Sequence, residues 1–364
     1  MKTISILRIG GVVALAIFLL TYPFFASPFF VIQIGIQSLF LGLIALSLIF
    51  LAGYSGMVSL AQMGLYGAAG YTLGFLTVTI GLSWYIGVGA ALIASILLSA
   101  IFAFISVRTQ GIYFLMITLA EAMLVFYFAE QNDYFTNGHT GINGIQPPTV
   151  GSLVLSDPTT FYFVTLMIAV LVYLGLRYLI RTPFGLALQG IRDNAQRMKS
   201  LGFNVSAHRI AAFMLAGLIA GIGGVLGTWY NGAISPGSID LTRTIDILII
   251  AVLGSLTYFE GAFVGAVFFT LITNFASSFT DRFNTVIGLA FLLVALFFPG
   301  GLIGLSKTIA QLVMRTLPWP GYRRATPTAS TRLLQASMHS SSSQLKDKQP
   351  MIVSVKPEEE ENQQ

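Results

Sequence analysis

The chain of 364 residues has no cysteine and few charged side chains. Without cysteine it has no disulfide framework and no cysteine-ligated zinc or iron–sulfur site. A soluble domain contains about 25% charged residues. Here only 9% are charged, whereas 55% are hydrophobic. Water is therefore not the solvent for most of the surface of this protein.

Enzyme signatures are also missing. The three histidines, His139, His208 and His339, lie in separate segments, so no joint metal site is expected. No paired carboxylates and no Ser/His/Asp set converge by spacing. Segment 301–308, GLIGLSKT, has Ser306 where a nucleotide-binding P-loop needs glycine, and it follows an apolar run rather than a strand. The sequence predicts a non-catalytic chain that binds no cofactor or metal and no nucleic acid.

Apolar runs of about 20 residues fill the chain up to residue 304, and each is long enough to cross a bilayer as a helix. We predict an all-α polytopic membrane protein with about ten membrane-crossing segments, some short or broken. The first is expected to be an uncleaved span, and the eighth and ninth could instead form a re-entrant pair. The predicted spans are 9–27, 30–52, 57–80, 84–107, 111–129, 160–180, 209–230, 244–258, 262–279 and 283–303.

The distribution of positive charge orients these spans. Most basic residues fall on the side that also holds both chain ends, and Arg243 and Arg282 are the exceptions. Because basic connecting segments stay in the cytoplasm, both termini are predicted to be cytoplasmic. We divide the chain into a transmembrane domain at 1–304, an interfacial segment at 305–319 and a disordered, Ser- and Gln-rich cytoplasmic tail at 320–364.

Segment 181–209 is the one long polar, basic connection between spans. Thr182 suits a helix N-cap, Pro183 suits the first helical turn, and Gly202 suits the end of a helix. Apolar residues at spacings of four and three predict one apolar face that runs from Phe184 to Leu201. Gly190 in the middle leaves two short helices as an alternative to one. The segment is either a docking element that passes force to a partner or a loop whose charge only sets topology.

Two glycine-rich interruptions, at 53–71 and 254–265, break apolar runs in the two halves of the chain. Paired interruptions are typical of a transport pathway built from discontinuous helices. The alternative is close helix packing through glycines four residues apart. Glu121, near the middle of the fifth predicted span, costs several kcal/mol there unless it faces a cavity or a partner. It is either functional or a protonated, hydrogen-bonded structural group.

The chain contains, in this order, the segments GYSGMVSL at 53–60, RTQGIYF at 108–114, TGINGIQP at 140–147, RTPFGLALQGIRDN at 181–194 and PGGLIG at 299–304. Together these segments resemble the LivM-type permease subunit of branched-chain amino acid ABC importers. The resemblance covers roughly residues 35–305. The chain departs from the family pattern at 196–198, where ABC permeases place an EAA signature, and at Met123, where the family has an acidic residue.

The resemblance implies a permease subunit for branched-chain or related small amino acids in a bacterial-type inner membrane. It implies three kinds of partner besides the lipid bilayer: a second permease of similar fold, two ABC ATPase subunits that bind the ATP, and an extracytoplasmic substrate-binding protein. A permease of the same family for urea or short amides is one alternative. An ion-coupled secondary amino acid transporter, with Glu121 as its proton site, is another.

Two sets of site residues are expected. The ATPase-coupling loop would use Thr182, Pro183, Phe184, Gly185, Ile191, Arg192, Asp193, Asn194, Gln196, Arg197, Leu201 and Gly202. The substrate pathway would use Gly53, Tyr54, Ser59, Gln62, Glu121 and Gly254.

Overall fold

The computed structural model describes residues 19–23, 25, 27–150, 153–279, 285, 288–289, 291–292, 296 and 300–304. All of them lie in the first of two units into which the chain divides, Met1–Ala310 and Gln311–Gln364. Most of the predicted spans 9–27 and 283–303, the interfacial segment 305–319 and the tail 320–364 lie outside the described residues.

Helices dominate the described residues. The principal ones are α1 (Val31–Ser55), α2 (Gln62–Gly74), α3 (Trp84–Ser106), α4 (Ile112–Gln131), α5 (Pro158–Leu179), α6 (Pro183–Asp193), α7 (Ala195–Ser200), α8 (Val205–Asn231), α9 (Leu241–Gly254) and α10 (Glu260–Phe279). Of these, α1, α3, α4, α5 and α8 are long and apolar enough to cross a membrane. The helical, multi-span class is therefore confirmed, and the total of about ten crossings stays a prediction.

Two predicted boundaries were wrong because of local backbone geometry. Residues 57–61 are not helical, so the third predicted span begins at Gln62 rather than at 57. Gly56 has φ +70°, which ends α1 in a left-handed conformation that glycine adopts without a Cβ penalty. The eighth predicted span ends at Gly254 rather than at 258. With 14 residues, α9 rises about 21 Å, less than the roughly 30 Å of a bilayer core.

The centre of the bundle is formed by α1 and α8. Helix α8 packs along α1, α2 and α3, and α1 also packs against α10 and α9. Small residues allow this approach: a Cβ on Gly217 would lie 2.4 Å from Ser99 Cβ, and one on Gly224 would lie 2.4 Å from the Tyr66 carbonyl oxygen. Close packing through small residues is the usual way in which helices associate in lipid, and it confirms the packing interpretation of the glycines in α8.

Four two-residue strands lie in the connections. They are β1 (Ile142–Asn143), β2 (Thr149–Val150), β3 (Leu153–Val154) and β4 (Ala233–Ile234). The antiparallel pair β1–β4 joins Ile142 to Ile234 and so links the long 132–157 connection to the end of α8. The pair β2–β3 is a local hairpin. These strands fix one end of the bundle, which we predict to be the external end.

Candidate functional site

The start of the 181–209 segment has the local geometry that its sequence predicts. The Thr182 hydroxyl donates to the Leu179 carbonyl at 2.6 Å and accepts from the Gly185 amide at 3.5 Å, and Pro183 opens α6. Gly185 is required by contact, because a Cβ there would lie 2.4 Å from Ile180 Cα. The segment therefore turns sharply away from the end of α5.

The segment forms two helices, which is the second of the two predicted alternatives. The division falls at Asn194 rather than at Gly190. The Asn194 side chain accepts a hydrogen bond from the Arg197 amide at 2.9 Å and so caps α7. Gly202 has φ +88°, as expected for a residue that ends a helix. Both short helices thus begin on a side-chain cap.

The predicted apolar face is correct in α6 and continues in α7 as far as Met198, which is half-buried and lies against Gly190. Leu188 and Ile191 are buried, and the Phe184 ring stacks on the His208 ring with centroids 5.7 Å apart. Leu201, which the pattern placed on the same face, is 65% exposed. The kink at the α6–α7 division changes the direction of the chain, so a single helical period does not continue as far as Leu201. The contact with His208 was not predicted from the sequence.

The other side of the segment is polar and open. Gln196 and Arg197 are exposed and lie in α7. Asp193 ends α6 and accepts from the Arg192 guanidinium at 3.0 Å and 2.9 Å, through Nε and Nη2. Charged and amide side chains held on short capped helices form a surface suited to a protein partner.

Arg192 also reaches the first glycine-rich interruption. Its Nη1 donates to the carbonyl oxygen of Gly53, and its Cγ would lie 2.9 Å from a Cβ on Gly56. The last four carbonyls of a helix have no intrahelical donor, and cations are favourable at a helix C-terminus. Arg192 therefore caps the end of α1 from a distant part of the chain.

The two glycine-rich interruptions are in contact with each other. A Cβ on Gly53 would lie 2.7 Å from the carbonyl oxygen of Leu256. The rings of Tyr54 and Phe259 have centroids 4.7 Å apart. We call the segments 53–56 and 254–260, together with Arg192, the loop–break junction.

The second interruption depends on backbone contact. A Cβ on Gly254 would lie 1.8 Å from the carbonyl oxygen of Gly261, and one on Gly265 would lie 2.2 Å from that of Ile250. The chains of α9 and α10 therefore meet with nothing between them. For Gly254, close packing explains the glycine, which is the alternative interpretation of this stretch.

One set of contacts at the loop–break junction was missed from the sequence. Glu260, at the start of α10, accepts from the Tyr173 hydroxyl at 2.7 Å, and that hydroxyl accepts from Arg177 at 2.8 Å. Arg177 Nη1 lies 3.7 Å from the Glu260 carboxylate. The available signal was the spacing of four between Tyr173 and Arg177, which puts both on one face of α5.

A second group of predicted residues lies inside the bundle. Gln62 is 1% exposed and accepts from the Ser47 hydroxyl at 3.1 Å. Within the described residues, its Nε2 has no hydrogen-bond partner. Ser59 is also buried, and its hydroxyl accepts from the Ala61 amide at 3.2 Å.

Glu121 lies on the buried face of α4, with 6% of its surface exposed. One turn earlier, the Thr118 hydroxyl accepts from the Leu60 amide at 3.1 Å, and the next residue, Ala122, packs against Gly64. Neither carboxyl oxygen of Glu121 has a partner among the described residues. Ser47, Ser59, Gln62, Thr118 and Glu121 are called the interior polar group below.

A cavity of about 370 Å³ lies elsewhere, at the end of the bundle that carries the strands. Its walls include Trp84, Trp229 and the proline pair Pro147–Pro148. None of the predicted pathway residues lines it. The full lining is Thr77, Val78, Leu82, Trp84, Gly144, Gln146, Pro147, Pro148, Thr149 and Trp229. Among the residues that the structure describes, no group of three or more His, Asp or Glu side chains could hold a metal ion.

The amino-acid sequence of this chain is similar to those of known proteins. The family described as branched-chain amino acid transport system / permease component matches residues 30–298. The high-affinity branched-chain amino acid transport system permease protein LivM of Salmonella typhimurium is 25% identical over 82% of this chain and 76% of its own length. LivM of Escherichia coli K12 is 24% identical over the same shares.

A nucleoside ABC transporter permease protein, NupC of Lactococcus lactis, is 33% identical, over 24% of this chain and 26% of its own length. No solved structure matches the chain. The family match covers most of the chain, including both glycine-rich interruptions and the α6–α7 segment. The chain therefore belongs to the family of branched-chain amino acid transport system permease components.

Proposed function

We propose that this chain is the transmembrane permease subunit of an ABC importer that moves branched-chain or related small amino acids, with ATP hydrolysed by separate subunits. The observation that carries the proposal is the α6–α7 segment, which is capped at both helices, exposed on its polar side and bonded through Arg192 to the break in α1. A loop that only sets topology needs none of these features.

The α6–α7 segment would sit in a cleft of an ATPase subunit on the cytoplasmic side of the inner membrane. Gln196 and Arg197 would face that subunit, and closure of the two ATPase subunits would move α5 and α8. ATP must favour one conformation over the other, because equal affinity for both shifts nothing. A second permease of similar fold and an extracytoplasmic binding protein would complete the complex.

The arrangement of about ten spans, with both termini cytoplasmic, belongs to the same proposal, as do the interfacial segment 305–319 and the tail 320–364. Substrate would pass near the loop–break junction and the interior polar group. Within the interior polar group, Gln62 and Glu121 keep unpartnered polar atoms under cover of the bundle. Groups of this kind are where a small zwitterionic substrate, or the water it displaces, finds hydrogen bonds.

Support for an amino acid substrate comes from the two LivM relatives, which match over most of the chain, whereas the nucleoside permease matches over a quarter of it. The substrate test is competition for uptake. Unlabelled leucine, isoleucine and valine should compete with labelled leucine, while guanosine and urea should not. Competition by guanosine or urea alone would move the substrate assignment to another member of the family.

The energy source is tested with the complex purified in mild detergent and placed in vesicles. ATP on the cytoplasmic face should drive uptake of labelled leucine, and an ionophore should leave that uptake in place. The rival, an ion-coupled secondary transporter, predicts the opposite. If the chain alone accumulated leucine under an ion gradient without ATP, the ABC assignment would be wrong.

A further inference from the structure

Helix α6 and the helix before it, α5, are each tied to the loop–break junction by a hydrogen bond. From α6, Arg192 donates to the Gly53 carbonyl at the end of α1. From the last turns of α5, Arg177 bonds Tyr173, which bonds Glu260 at the start of α10. The two breaks are themselves in contact through Gly53 and Leu256. The stretch from Tyr173 to Arg192, which includes most of α6, is therefore joined at both ends to the two interrupted helices.

We infer that Arg192 is a positioning residue that transmits movement of α6 to the broken ends of α1 and α10. The inference rests on the proposed function, in which α6 moves with an ATPase subunit. Displacing α6 pulls or releases the Gly53 carbonyl. Because Gly53 is in backbone contact with Leu256, the second break shifts with the first. Tyr54 and Phe259 carry the same displacement through their ring contact.

The planar guanidinium group, with several hydrogen-bond donors, suits Arg192 to transmitting movement from α6 to α1. Nε and Nη2 both bond Asp193, on the same helix, and this leaves Nη1 aimed at Gly53. The orientation of the side chain is thus fixed to α6 before it reaches α1. A lysine has a single ammonium on a flexible stem and cannot hold both partners in a fixed plane. The link should therefore depend on arginine and not on positive charge alone.

A purely structural cap is the competing explanation. The Arg192 side chain is 38% exposed, so water could replace its hydrogen bond to Gly53, and exposed ion pairs of this kind add little stability. A structural role would change the amount of folded protein, which lowers uptake and ATP hydrolysis together. A transmitting role changes the number of substrate molecules moved for each ATP hydrolysed.

The test compares Arg192→Ala and Arg192→Lys with Arg108→Ala in the purified complex in vesicles. Arg108 lies in the connection between α3 and α4 and contacts the Phe104 ring, so its removal deletes a positive charge elsewhere. Leucine uptake per ATP hydrolysed should fall about tenfold in Arg192→Ala, by a lesser factor in Arg192→Lys, and not in Arg108→Ala. If Arg192→Ala does not assemble, Arg192→Lys decides on the same ratio. An unchanged ratio in assembled complexes overturns the inference.

A second readout does not depend on transport. Because the chain has no cysteine, Ser55→Cys introduces its only thiol, at a buried position beside Gly56, and labelling is read on this chain after the subunits are separated. Its labelling by a maleimide should change when ATP is added to the complex, and Arg192→Ala should abolish that change. Labelling that still responds to ATP in Arg192→Ala overturns the inference. Absence of ATP-driven uptake with the unmodified chain would instead overturn the proposed function.

Discussion

The loop–break junction and the interior polar group differ in how fully their polar side chains are hydrogen-bonded. At the loop–break junction, Arg192 and Glu260 bond neighbouring segments, and each lies near solvent. In the interior polar group, Gln62 and Glu121 are buried and retain polar atoms without partners among the described residues. Other members of the interior polar group are bonded, Ser47 to Gln62 and Thr118 to Leu60, so the contrast rests on Gln62 Nε2 and the Glu121 carboxyl group.

This difference separates the two roles that a transporter combines. A buried polar atom without a partner costs about 1–3 kcal/mol, so a fold selected only for stability would replace Gln62 or Glu121 with apolar residues. Exposed charges that connect separate helices contribute little to stability, so their presence at the junction calls for another role. We therefore interpret the loop–break junction as the mechanical region and the interior polar group as the region that meets substrate or water.

The largest effect is expected from Gly254→Ala, which tests whether α9 and α10 can move apart at the loop–break junction. The added Cβ would lie 1.8 Å from the Gly261 carbonyl oxygen, a backbone atom that cannot rotate away. We expect a loss of more than about 3 kcal/mol of stability, at the upper end of overpacking effects. The measurement is the thermal unfolding midpoint of the purified protein in detergent.

The matched control is Gly89→Ala, on an exposed position of α3 with nothing within 4 Å of the added Cβ. Alanine is favoured over glycine in a helix interior by up to about 1 kcal/mol, so this variant should be as stable as the parent or more so. Equal midpoints for the two variants would show that α9 and α10 separate freely, and the mechanical interpretation of their contact would be lost.

Next in size is Glu121→Met, which tests the interior polar group. Removing a buried carboxyl group with no partner should leave the unfolding midpoint unchanged or raise it. Leucine uptake should nevertheless fall about tenfold, equivalent to roughly 1.4 kcal/mol in a rate. Midpoint and initial uptake rate are measured on the same preparation.

Glu130→Gln is the control for Glu121→Met. Glu130 also lies on α4, but it is half exposed and pairs with His139 at 3.4 Å. Both readouts should remain at the parent level there. If Glu121→Met lowered the midpoint and left uptake intact, Glu121 would be a structural group, and the contrast between the two regions would disappear.

Local signals in the sequence predicted much of the α6–α7 segment. Thr182, Pro183 and Gly202 have the cap positions expected of them, because capping depends on a few neighbouring residues. Leu201 was placed on the wrong face because the kink at Asn194 resets the helical phase. Kinks of this kind depend on a single side-chain cap that competes with the continuation of the helix.

Contacts between distant segments were out of reach of the same signals. Both glycine-rich interruptions were predicted as features of a pathway, yet the close approach of Gly53 to Leu256 depends on how α1, α9 and α10 pack. The bond from Arg192 to Gly53 joins residues 139 positions apart. Periodicity and caps carry no information on such pairings, so Tyr173 and Glu260 were not recognised as site residues.

The smallest expected effect is that of Tyr173→Phe, which tests how much the link from α5 contributes to the loop–break junction. The variant removes the hydroxyl that bridges Arg177 and Glu260 and keeps the ring. Because Arg177 still lies 3.7 Å from the Glu260 carboxylate, the ion pair remains and only its geometry loosens. Uptake per ATP hydrolysed should fall by about two- to threefold, less than for Arg192→Ala, since a factor of three corresponds to only about 0.65 kcal/mol.

Tyr178→Phe provides the comparison on the same helix, because that side chain is 75% exposed. It should leave the uptake-to-hydrolysis ratio unchanged. A loss in Tyr173→Phe as large as that in Arg192→Ala would mean that α5 and α6 drive the two breaks equally. No loss at all would place the whole linkage on Arg192, because the remaining contact between Arg177 and Glu260 is an exposed ion pair of little energetic weight.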